Sequence, residues 1–501
     1  MFRRHPSFRL FVTAPALCRI ASCGLLFFSA ICAFAGGPKY VAGVSYFNSS
    51  ALGQPVSWAG GSVNYYVDQG PLGPLSNTQA VAIVDAAAAI WNGVPTAAVQ
   101  LTDAGALAED VNGSNVLAGN GYLVAPADVA PSAITTPVAV IFDTDGSVYD
   151  ALEGSGASEP DNCSLNSLLV WIDNMNPNAT LAHGVIVLNG RCATTANLLS
   201  MMSYQLERAF GRILGLDSSQ VNLNALSLGS TEPNGALGWP IMQPLPGECG
   251  AVGGDCIPNP TVLRFDDIAA LNRIYPVTAA NLASFPGKVL TAANTVSIQG
   301  TLSFRSGQGM QGVNVVARPL DGNGNPLYQY TVTFVSGSYF AGNRGNPVTG
   351  WTDALGNRLD RFGSNLSSLQ GFFDLSGMPL PPGATTANYQ VTFEPISPLF
   401  FGSLSVGPYL LGAPTPSGTM PTLLVNGLQA GSSKALTVNI ANSASESISQ
   451  PIPELLQLIP ESAQPILESA LKPVAPVERS IHGPFAGGLE TDSESDRKSV
   501  V

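Results

Sequence analysis

Apolar and polar positions keep one rhythm over the first half of the chain and another over the second. Val63, Tyr65 and Val67 alternate within GSVNYYVD, the period of two that marks a strand. From Ser76 to about Gly93 the period lengthens to that of a helix. Ala80, Val84, Ala87 and Trp91 share one face, and Ser76 with Gln79 supplies a capping box at its start. Apolar runs at 138–142 (VAVIF), 168–172 (LLVWI) and 184–189 (GVIVLN) predict further strands. A second long helix is expected over about 196–214, with Leu198, Met202, Leu206, Ala209 and Ile213 on its buried face and Gly215 placed to end it. A third, over about 266–274, carries Asp266 and Asp267 in its first turn, where the helix dipole favours acids, and stops before Tyr275-Pro276. Residues 36–276 therefore read as one mixed α/β domain.

A linker is expected over 277–295. From 296 to 442 helical periodicity vanishes. Val296, Ile298, Leu302 and Phe304 alternate, and GVNVVARPL, FFDLSG, NYQVTFEP and KALTVNI read as strands between Gly- and Pro-rich turns, the pattern of a β-sandwich. Residues 443–501 are rich in Pro, Ser and Glu and are expected to be disordered, apart from an amphipathic helix over Pro453–Leu471 that would form on a partner. At the other end, Arg3, Arg4 and Arg9 precede an apolar run from Ile20 to Ala35, and Ala33-Phe34-Ala35 before Gly36 has the form of a cleavage site. Residues 1–35 thus read as a signal peptide. Arg19 breaks the apolar stretch and argues against a membrane anchor. Ile31 makes Cys32 a poor lipidation site, and no other stretch approaches membrane length.

Composition sharpens this picture. The 501 residues carry a formal charge of −13, and losing the four arginines of the first 35 residues would leave −17. Such acidity argues against nucleic acid and against anionic membranes as partners. Charged residues are only 11 %, against 53 Gly and 39 Pro, which suits a secreted, turn-rich protein of the cell exterior or envelope. Four cysteines remain after residue 35: Cys163, Cys192, Cys249 and Cys256. Two disulfides are expected. Three pairings are open, of which Cys163–Cys192 with Cys249–Cys256 is the simplest. A four-thiolate zinc site is the alternative, and the lack of a C-x-x-C spacing speaks against it. His5, His183 and His482 are the only histidines, so no site needing three can exist in the mature chain.

The second long helix ends in Arg208-Ala209-Phe210-Gly211-Arg212-Ile213-Leu214-Gly215-Leu216-Asp217-Ser218. This resembles the zinc-binding segment of matrixin-type metzincin peptidases, H-E-x-G-H-x-x-G-x-x-H, at Gly211, Gly215, Leu216 and Asp217. Other resemblances follow in chain order: WAGGSVNYYVD to the family's first strand, the helix ending Ile90-Trp91 to its first helix, Trp239-Pro240-Ile241-Met242 to its methionine turn, and Leu263 to Pro276 to its last helix. The stretch from Ser218 to Met242 is longer than usual and implies an insertion. The resemblance implies an α+β fold, a mixed sheet with long helices. It does not carry the chemistry over. Arg208, Arg212 and Ser218 stand at the ligand positions and Ala209 at that of the general base. A guanidinium has no lone pair to donate and Ala209 cannot activate water. Glu207 lies roughly 200° round the helix from Ala209 and cannot substitute. No zinc is expected. Either the two arginines pair with nearby acids in place of the metal, or they hold a carboxylate of a bound peptide.

Asp143-Thr144-Asp145-Gly146-Ser147, with Asp150 and Glu153 beyond, echoes the start of a calcium loop, so Asp143 and Asp145 are candidate calcium ligands. The simpler reading is a turn after a buried strand. A lone His183 is expected to be structural. No G-x-S-x-G motif or phosphate-binding glycine loop is present. Residues 296–442 resemble carboxypeptidase regulatory-like domains, which implies an immunoglobulin- or transthyretin-like sandwich without catalysis. The resemblance rests on Gly300, Gln311 to Ala317, Gly371 to Leu375, Met378 to Gly383 and Tyr389-Gln390-Val391, with an insertion at about 327–368. The expected function is a secreted pseudopeptidase that binds protein or acts as an extracellular scaffold. The alternatives are a metalloendopeptidase with an unusual ligand set, and a structural cell-surface protein that works through its sandwich.

Overall fold

A computed structural model describes residues 37–44, 46–119, 122–221, 239–243, 249–252, 255–256, 262–304, 307–340, 363–394 and 420–440. The expected signal peptide, the Pro453–Leu471 helix, the disordered tail and most of the 218–242 insertion lie outside these residues.

The first half is built on a sheet of six strands. In chain order its elements are β1 (Ser57–Trp58), β2 (Ser62–Val67), α1 (Asn77–Asn92), β3 (Gln100–Ala106), the hairpin β4 (Leu117–Gly119) and β5 (Tyr122–Val124), β6 (Val138–Asp143), α2 (Ser147–Glu153), α3 (Cys163–Asn166), β7 (Leu168–Asn176), β8 (Thr180–Asn189) and α4 (Ala196–Ile213). In the sheet, β3, β2, β6 and β8 are parallel neighbours, β1 runs parallel to the start of β8, and β7 pairs with β8 antiparallel. The apolar runs of β6 and β8 arise because both sheet faces are covered. Val140, Phe142, Ile186 and Leu188 face Trp91 of α1 and Leu206 and Phe210 of α4. Ala139, Ile141, Val185 and Val187 face Tyr149 of α2 and Leu107, Val111 and Val129. The capping box at Ser76 and Gln79 is formed, and Gly215 closes α4 at a φ of 81°. Among the described residues no helix is long and apolar enough to cross a membrane.

After the short pair β9 (Cys249–Val252) and β10 (Asp255–Cys256) comes α5 (Phe265–Ile274), then α6 (Thr291–Asn294). Within 277–295, the Nζ of Lys288 donates to the carbonyls of Asn92 and Val94 (2.6 Å each) and so closes the end of α1. Val277 and Phe285 pack on Ala98.

The second half has two sheets. One contains β11 (Val296–Phe304), β14 (Phe372–Met378) and β17 (Ser433–Ile440), in the order β14-β11-β17. The other contains β12 (Asn314–Pro319), β13 (Val332–Val335), β15 (Thr386–Glu394) and β16 (Leu423–Gln429), in the order β13-β12-β15-β16. Ile298, Leu302, Val315, Phe334, Phe373, Leu375, Tyr389 and Val391 fill the space between them. Helix α5 joins this sandwich to the first half. The buried Arg273 donates to the carbonyls of Asp374 (3.3 Å) and Ser376 (3.5 Å) on β14 and of Thr333 (3.5 Å) on β13. Asn272 donates to Gly377 O at 2.8 Å. Asp266 accepts from the backbone N–H of Thr333 at 2.6 Å and from Ser219 Oγ at 2.6 Å. The helix thus gives partners to strand edges that would otherwise be left open. Ala269 of α5 and Val41 belong to the sandwich core itself.

Candidate functional site

The last two turns of α4 carry Arg208, Ala209, Gly211 and Arg212 onto the segment 215–221 that follows. Three elements meet there: α4, the turn Trp239–Gln243 and the start of α5. Asp267 ties the turn down, accepting from the backbone N–H groups of Ile241 (2.9 Å), Met242 (3.0 Å) and Arg264 (2.9 Å). Gln243 Nε2 donates to Tyr204 Oη at 2.7 Å, and Ser219 N donates to Met242 O at 2.7 Å. Asp266 and Asp267 therefore do more than favour the helix dipole: one holds the sandwich, the other holds the turn Trp239–Gln243.

Gly211 is required by this packing. A Cβ there would lie 2.3 Å from Met242 Sδ and 2.8 Å from Trp91 Cζ2. Trp91 cannot easily yield, because its Nε1 donates to Glu207 O at 2.8 Å. Gly211→Ala gains about 1 kcal/mol of helix propensity. Overpacking costs about 1–3 kcal/mol, and an approach this close sits at the upper end. A net loss of stability is expected in urea unfolding, and an unchanged or raised midpoint would refute this account of the glycine.

The two arginines have different surroundings. Arg212, 17 % exposed, pairs with Asp217: its Nη1 lies 2.8 Å from Asp217 Oδ1, and its Nη2 donates to Ser218 Oγ. Burial lowers the pKa of Arg212, Asp217 raises it, and Arg208 lowers it again. Arg208 is 8 % exposed. Its Nη1 donates to Gln205 Oε1 at 2.8 Å and its guanidinium carbon lies 5.8 Å from the centre of the Tyr204 ring. Its Nε has no hydrogen-bond partner, and among the described residues no carboxylate pairs with it. Ala209 is buried in the core and offers no acid–base group. Glu207, half-buried, has an unbonded Oε2. Burial first, and Asp267 second, push its pKa up to about 8. Burial likewise raises Asp267 to about 7 against the three N–H bonds that lower it.

The remaining candidates lie elsewhere. Asp143 is buried at the end of β6. Its Oδ2 accepts from Tyr149 N at 2.7 Å and its Oδ1 is unbonded. Asp145 Oδ1 accepts from Ser147 N at 3.0 Å. Both carboxylates thus brace the first turn of α2, and no group of three or more ligating side chains is gathered among the described residues. Cys163 and Cys192 form a disulfide that ties α3 to the segment before α4. Cys249 stands opposite Cys256 in the backbone register of β9 and β10, and their side chains lie outside what is described. His183 Nδ1 lies 2.6 Å from Asp173 Oδ1. Sequence reasoning missed Asp217 as the partner of Arg212 and Arg273 as the anchor of the sandwich. The first had a local signal, an acid five residues on. The second had none, because its partners are strand carbonyls about 60 to 103 residues away.

No family model matches the chain, and no curated protein does. Among solved structures, the major pilin subunit BcpA of Bacillus cereus overlaps 30 % of this chain and 31 % of its own length, at 15 % identity and a TM-score of 0.15. A glycoside hydrolase family 15 glucoamylase from Hypocrea jecorina overlaps 59 % of this chain and 36 % of its own, at 14 % identity and a TM-score of 0.13. Overlaps this weak carry no argument about fold or activity.

Proposed function

We propose that this chain is a metal-free, non-catalytic relative of the matrixin-type metzincins that acts at the cell exterior by binding a protein or peptide. The reading is supported by the sheet with its antiparallel strand β7, by the turn of Gly215 after α4, and by the packing of Met242 against Gly211. One observation carries it. Arg212, Asp217 and Ser218 are bonded to one another where the motif would have its side chains meet at zinc. The donor set does not fit the metal. Two guanidinium groups present only N–H donors, and the Ser218 hydroxyl is already engaged. The Arg212–Asp217 pair takes over the cross-link between helix end and following segment. With Ala209 at the base position, nothing there would take a proton from water.

The test is zinc content. Residues 36–442, produced in an oxidising compartment without chelator, are expected to hold far less than one zinc per chain while folded, and to cleave no peptide in a chelator-sensitive way. Calcium is read in the same sample. Zinc near one per chain, with chelator-sensitive hydrolysis, would favour the metalloendopeptidase alternative.

A further inference from the structure

The charges at the end of α4 do not balance. Arg208 and Arg212 lie one helical turn apart on one face. The carboxylate of Asp217 serves Arg212, its Oδ1 accepting from Arg212 Nη1 and from Ser218 N at 2.8 Å each. Arg212 is further engaged by Ser218 Oγ. Arg208 has only the neutral Gln205 and the face of Tyr204, with its Nε unbonded. A buried guanidinium with no counter-charge is costly. A ring at that distance offsets only part of the cost. The cross-linking role that explains Arg212 does not reach Arg208.

We propose that Arg208 is a recognition residue, and that its guanidinium receives a carboxylate of the bound peptide. The inference rests on the metal-free binding function proposed above and names the chemistry of its ligand. A guanidinium offers parallel N–H donors that match the two oxygens of a carboxylate, which a lysine in its place would not. Arg212, one turn away, is already paired with Asp217, so one positive charge is left for the ligand, which suits a singly charged carboxylate better than a doubly charged phosphate. The carboxylate can be that of a chain end or that of an acidic side chain.

Binding of short peptides to the intact protein tests this. The probes are N-acetyl-trialanine with a free carboxyl end, its amide, N-acetyl-Ala-Asp-Ala amide, and inorganic phosphate. Saturable binding is expected for at least one peptide carboxylate and not for the neutral amide. The first peptide binding more tightly would identify a chain end, the third an acidic side chain. Arg208→Gln is expected to weaken that binding at least tenfold, with Arg208→Lys intermediate. If Arg208→Gln does not fold, the lysine variant is read alone, and undiminished affinity there overturns the proposal. So does affinity undiminished in Arg208→Gln, the absence of saturable carboxylate binding, or a preference for phosphate. Zinc measured in the same preparation separates the two failures. Zinc present sinks the metal-free reading beneath, whereas zinc absent with no carboxylate binding sinks only the role of Arg208.

Discussion

Arg273→Met is expected to destabilise the protein by about 3 kcal/mol or more, the cost of removing one member of a buried charged network. Arg273 is 3 % exposed and its guanidinium spans strand carbonyls of both sheets. Asp266 and Asp374 supply the negative charge that keeps it ionised against its burial. Methionine can fill the volume but leaves these two acids without their cation and three carbonyls without a donor. Urea unfolding gives the result directly, and a loss below about 1 kcal/mol would show that the carbonyls find other partners. The same network forecasts a larger effect. A chain cut after Thr295 is expected not to fold, since it would expose Arg273, Asp266, Asn272 and the apolar Ala269 and Val41, which are completed only by the sandwich. Circular dichroism of the truncated chain should show no cooperative melt. A cooperative melt would mean that the halves are independent.

Thermal stability is expected to fall as pH rises from about 4 to about 8. Burial pushes Asp68, Asp143 and Asp374 up to about 6, Asp267 to about 7 and Glu207 to about 8. A carboxyl whose pKa is higher folded than unfolded binds its proton more tightly in the native state. Its contribution is complete below the unfolded value of about 4 and is lost as pH climbs through the folded value. Asp145 and Asp150 are shifted downward and act with the opposite sign, but over a range below about pH 4. The net negative charge adds to the trend, because ionising further acids increases self-repulsion. Calorimetry at pH 4.5, 6 and 8 should show a falling melting temperature. Glu207→Gln should raise it at pH 8 and leave it nearly unchanged at pH 4.5. A profile that is flat or rises towards pH 8 would contradict the account.

Strong periodicity made much of the fold legible. The stripe of α1 and its capping box, and the stripe of α4 with Gly215 after it, are local features and formed where the pattern put them. β3 was not legible, because Leu101 is its one buried residue and QLTDAGA shows no alternation. β13 lies inside the stretch read as an insertion, at 327–368, yet its Phe334 is in the sandwich core. At the site, the side-chain types at 208, 209, 212 and 218 could be read directly. The division of labour between Arg208 and Arg212 could not, since it depends on which of them Asp217 reaches. The positions of Asp266 and Asp267 suggested a dipole effect, and their partners, far apart along the chain, gave each a separate task.

The segment leading into β1 has a consequence for the order in which the molecule can assemble. Lys39 N donates to Gly215 O, Asn48 N donates to Pro177 O, and Gly363 N donates to Val41 O, while Gly53 packs on Leu369. A residue near the start of the described chain therefore waits for one more than 300 positions later. Contacts of such separation form slowly, because the loop they close must be ordered first. During synthesis the first sheet can gather early, but the segment around Val41 that leads into it cannot lock until the sandwich has emerged. Native protection of Val41 and its neighbours should be among the last events of folding.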